Sequence, residues 1–212
     1  FGTNHRVIVH LDHIKFKPRM PDREGLIDSD EAKKAIAIAV KEVWRAHLET
    51  QKSAMPPQDF VDMYWNAAFS AGLMSVMNDV PILPSSELRI IDDTPTNEEH
   101  CSFYGFNKTP VTQAQVESGE VVLCQDIEYD DSGDGFAKLM FAKALGYLFT
   151  LHRLHENHWA RPFIRDLNNE KLQISGKVIA KDYFAGSFVN AAVRLFETLS
   201  VTIAGQTVIL DE

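Results

Sequence analysis

The sequence predicts an α+β protein, about four long helices packed with a small, mainly antiparallel sheet, organised as a single domain over residues 1–212. Several long stretches repeat apolar residues at helical spacing. Between residues 80 and 130, prolines punctuate short runs that read as strands. These strands do not alternate regularly with the helices, which argues against a doubly wound parallel sheet. With 45% hydrophobic and 24% charged residues, 11 Gly and 2 Cys, the chain is neither collagen-like, disulfide-stapled nor disordered. No internal repeat or Gly/Ser linker divides it. At this length a core forms without help from a metal or a disulfide.

In chain order, residues 5–16 read as a strand, with Val7, Val9 and Leu11 on one face and Ile8, His10 and Ile14 on the other. A helix is expected over residues 28–52, where Asp28 and Glu31 have capping-box spacing and Ile36, Val40, Val43, Trp44 and Leu48 form an apolar stripe. His47 lies on that stripe and reads as a core histidine. Pro56-Pro57 open a second helix reaching residue 78. Phe60, Met63, Tyr64, Ala67, Ala71 and Met74 line one side of it, and Trp65, Phe69, Leu73 and Val76 fill much of the rest, the pattern of a central buried helix. Strands follow over 87–92, 101–106 and 120–129, with one helical turn inside 109–119. A third helix spans 136–157 and a fourth spans 177–199, with Ser187, Asn190, Arg194 and Glu197 as its polar edge. Residues 201–203 and 207–210 close as a hairpin about Ala204-Gly205-Gln206.

The net charge of −9 argues against nucleic-acid binding, which needs clustered cations to displace counterions from phosphates. No apolar run approaches the length of a membrane span, so no membrane association is expected. Cys101 and Cys124 carry no redox or metal spacing and read as free thiols in a reducing compartment, which makes a cytoplasmic location the expectation.

The strongest chemical signal is Leu151-His152-Arg153-Leu154-His155-Glu156-Asn157-His158, at the end of the expected third helix. On a helix, His152 and His158 stand about 60° either side of His155, and His152 and Glu156 lie one turn apart. Imidazole with carboxylate suits a divalent transition metal such as zinc or iron, so His152, His155, Glu156 and His158 are the candidate metal ligands. Helix-end histidines also complement the macrodipole, a purely structural alternative. A second signal, Asp130, Ser132, Asp134 and Gly135, matches the first half of a calcium loop, but Phe141 stands where the loop needs a glutamate.

A third signal is the stretch from Trp159 to Lys171, where Arg161 and Arg165 suit bidentate binding of a phosphate or carboxylate. Pro162-Phe163, Asp166 and Asn168 here follow an order that resembles the Fic nucleotidyl-transfer motif. Arg161 replaces the motif's histidine, and Leu167 and Asn169 replace its glycines, so neither its base nor its phosphate nest is implied. A loop pinned by an arginine–aspartate network is the alternative.

No phosphate loop, nucleophile elbow or Cys-x-x-Cys pair is present. The leading expectation is therefore a soluble, non-enzymatic binding, regulatory or assembly protein that acts through a protein partner or a homo-oligomer. The alternative is a metal-dependent hydrolase, with His152, His155, Glu156 and His158 at the metal and Arg161 and Arg165 orienting an anionic substrate.

Overall fold

A computed structural model describes residues 10, 12, 14–15, 29–91, 104–127, 134–151, 153–185 and 190–210. Mixed helices and strands bear out the α+β class. The chain forms two compact units, residues 1–84 with 153–159, and residues 85–152 with 160–212.

In the first unit, α1 (Ser29–Ala54) matches the expected helix closely, acidic at its start through Asp30 and Glu31 and basic at its end through Lys52, as the helix dipole favours. Its expected cap, Asp28, lies outside the described residues. After a two-residue link, α2 (Pro57–Ser70) turns back along it. Proline occupies the first helical turn, as expected, but the helix ends at Ser70 and not at residue 78. The Leu73 N–H closes onto the Ala68 carbonyl at 2.8 Å, and a 3-10 turn, Met74–Met77, follows. Leu73 and Val76, which seemed to complete an apolar cylinder, thus belong to the chain beyond the helix. The helix is one-sided: Phe60, Val61, Tyr64, Trp65 and Ala68 are buried, while Met63 and Phe69 are exposed. His47 is exposed as well, with its Nε2 3.3 Å from the Tyr64 hydroxyl, so it is a surface residue and not a core one. Of the strand expected over 5–16, only fragments are described, and there the Lys15 N–H bonds back to the Asp12 carbonyl at 3.1 Å in a turn.

The second unit contains β1 (Leu88–Ile91), β2 (Tyr104–Phe106), α3 (Gln113–Glu117), β3 (Leu123–Cys124), α4 (Asp134–Ala144), β4 (Leu148–Thr150), β5 (Ile164–Arg165), β6 (Leu172–Ala185), β7 (Asn190–Ile203) and β8 (Gln206–Leu210). The first five strands make one sheet in the order β2-β1-β4-β3-β5. In it β1 is antiparallel to β2 and β4, whereas β3 is parallel to β4 and β5. This sheet is mixed, with two antiparallel and two parallel pairings, and the expectation of one small sheet fails because the strands form several sheets. Parallel neighbours need a crossover, and α4 supplies one between β3 and β4. The last three strands form a separate antiparallel sheet.

Two further expected long helices, the third and the fourth, also require correction. The third stops at Ala144, because Gly146 turns left-handed at φ 67° and the Tyr147 and Gly146 N–H groups close onto Ala142 and Lys143 at 2.9 and 3.0 Å. Tyr147 then packs edge-on to Phe141, with ring centroids 6.1 Å apart, the apolar contact that accompanies this type of helix end. The chain beyond it is extended, as β4. The expected fourth helix is instead the long hairpin β6–β7, paired from Leu172↔Ile203 to Ala185↔Asn190. Register shifts between Gly176 and Ala180 break the strict alternation that would mark strands in the sequence. The presumed polar helix edge does not exist, and Glu197 instead pairs across the hairpin with Lys177 at 2.6 Å.

The closing hairpin forms where expected, but about a two-residue turn, since Gln206 already pairs with Ile203. Val208 faces Val201, and the turn residues Ala204 and Gly205 both have positive φ, 50° and 79°, which matches the right-handed twist of paired strands. Val201 and Ile203 join Phe141, Phe149, Leu139 and Leu167 in the core of this unit. Cys124 is buried in the same core, and burial pushes its thiol pKa up to about 12.

Replacing Gly146 with Ala places a Cβ where no heavy atom lies within 4 Å, so the change isolates backbone strain. Denaturant unfolding is expected to show a loss of about 1–2 kcal/mol; an unchanged midpoint would contradict the left-handed helix end. In a Cys101→Ser background, Cys124 is expected to resist thiol reagents at mildly alkaline pH and to react only once denatured.

Candidate functional site

His155, Glu156 and His158 do not sit on a helix, since α4 ends before them. His152 lies outside the described residues. The segment 153–159 belongs to the first unit and is laced onto α2 and the turns after it. There the Trp159 N–H donates to the Asn78 carbonyl at 3.1 Å, the Trp159 indole to the Val80 carbonyl at 2.6 Å, and Arg153 to the Asn66 side chain at 3.2 Å. His155 Nδ1 accepts from the Asn157 N–H at 3.3 Å and meets Asn78 Nδ2 at 3.2 Å, so the lone pair a metal would use from that atom is engaged. His158 is buried, with its ring 5.9 Å from Trp65 and 5.4 Å from Trp159. Glu156 is exposed. Among the described residues, no three His, Cys, Asp or Glu side chains gather to hold a metal ion.

Close by, Lys52 binds Asp79 and donates to the Val76 carbonyl at 3.1 Å, tying α1 to the 3-10 turn. The hydrogen bond from the Lys52 ammonium to the Asp79 carboxylate holds that carboxyl below its ordinary pKa.

The two arginines occupy different settings. Arg161 is exposed and opens a short 3-10 turn, Arg161–Phe163. Arg165 forms a two-pronged pair with Glu170, Nε to Oε1 at 2.6 Å and Nη2 to Oε2 at 2.8 Å, and Nη1 donates to the Tyr147 hydroxyl at 2.9 Å. The Tyr147 hydroxyl in turn donates to Gln206 Oε1 at 2.9 Å, which links β5, the end of α4 and the closing hairpin. Arg165 thus has a carboxylate of its own chain in the position a bound anion would take. The loop is pinned by charge as the structural alternative anticipated, although the partner is Glu170 and not an aspartate. This fork lowers the Glu170 pKa and raises that of Arg165, while burial raises that of Tyr147.

Beside this network lies a polar knot that sequence reasoning missed. At the carboxyl ends of the parallel strands β3 and β5, the Asp166 carboxylate accepts from the Asn168 N–H at 3.0 Å and from Asn169 Nδ2 at 2.6 Å. Asn168 Nδ2 donates to the Asp126 carbonyl at 2.9 Å, and Lys138 Nζ donates to the Asn168 carbonyl at 2.8 Å. Lys138 is only 8% exposed. Its spacing announces this, because it lies three residues from Gly135 and four from Ala142, both on the buried side of α4. Carboxyl ends of parallel strands are common ligand positions, but here the hydrogen bonds run from one chain segment to another and chiefly hold the loops after β3 and β5 together. Of the calcium-loop residues, Asp130 and Ser132 lie outside the described residues. Asp134 opens α4, and Gly135 is helical and buried, not at a sharp loop turn.

No protein-family model matches the chain, and neither a curated protein nor a solved structure matches it.

The Arg165–Glu170 fork has a pH signature. A carboxyl whose folded pKa is depressed stabilises the fold above its unfolded pKa, and that stability is lost as pH falls through the folded value. Both side chains are 23% exposed, so the contribution is about 1 kcal/mol. Glu170→Gln is expected to lower the unfolding midpoint at neutral pH and to converge with wild type in acid; parallel curves at all pH values would contradict the pairing.

Proposed function

We propose that the protein acts by binding, as an assembly or regulatory component whose contact surface includes the first half of α1. One observation supports this. The apolar stripe of α1 runs from Ile36 to Leu48, but Leu48 is its one buried residue. Ile36, Val40 and Trp44 are half-buried, and Val43 is 59% exposed. Length leaves part of the stripe uncovered: α1 has 26 residues and α2 has 14, so roughly the first three turns of α1, which carry Ile36, Ile38 and Val40, outrun the helix beside it in its own unit, whereas Val43 is exposed within the overlap. Ile38, on another side of the same segment, is 65% exposed. A helix in water does not keep β-branched residues at exposed positions for their helix propensity, which is lower than that of Ala, Glu or Lys. A partner that buries Val43 and Ile38 accounts for them by the hydrophobic effect, at about 1.5–3 kcal/mol per fully covered side chain.

The test is light scattering over a concentration series, with the metal content of the same untagged sample measured in parallel. The reading expects self-association, or retention of a co-purifying protein, that is lost in Val43→Glu/Ile38→Glu while the helical circular dichroism is unchanged. A monomer indifferent to that double change, carrying a stoichiometric transition metal lost in His155→Ala, would replace this reading with the metal-dependent one.

A further inference from the structure

We draw no further inference here: the strongest candidate, the partly covered apolar face on the first half of α1, is the surface on which the proposed function already rests, and nothing in the structure shows which partner covers it.

Discussion

Gly146 reverses the chain at the end of α4, and much of the second unit follows from that reversal. A left-handed residue there lets the Tyr147 N–H satisfy the Ala142 carbonyl and lays the Tyr147 ring on Phe141. The chain then returns as β4, parallel to β3, and places Phe149 in the core. The same turn sets the Tyr147 hydroxyl between Arg165 and Gln206, so the polar tie across the unit depends on it. It also bears on the candidate chemistry, because His155 and His158 lie outside any helix.

How much was legible in the sequence varies by element. The α1 stripe, the Pro57 helix start and the closing hairpin could be read because each has a local cause: an uninterrupted helical period, a proline in a first turn, or a glycine-containing turn between two short apolar runs. The end of α4 was legible in principle from Gly146. It was obscured because Leu148 and Leu151 continue the helical spacing from Ala144, although Tyr147-Leu148-Phe149-Thr150 suits a strand equally well. The β6–β7 hairpin was hidden more deeply. Its second arm, rich in Ala, Leu, Arg and Glu, has helix-forming composition, and its bulges shift the alternation partway along the first arm. Long-range pairing overrides local preference there, which no window of sequence reveals.

The candidate site shows the same division. That the Arg161–Lys171 stretch is a charged, pinned loop could be read from composition. Its true partners could not, since Glu170, Tyr147 and Gln206 meet Arg165 only through tertiary packing. Charged groups around this loop are mostly matched within the chain, Arg165 by Glu170 and Lys138 by a carbonyl. The apolar imbalance lies elsewhere, on α1, a helix longer than the one packed beside it, where Ile38 and Val43 stay exposed.

Backbone carbon chemical shifts across residues 134–158 test the central claim most directly. Helical values that stop at Ala144, a left-handed signature at Gly146 and extended values over Leu148–Thr150 are the expected result. Helical shifts continuing unbroken to Asn157 would contradict it, restoring a helix on which the clustered histidines share a face.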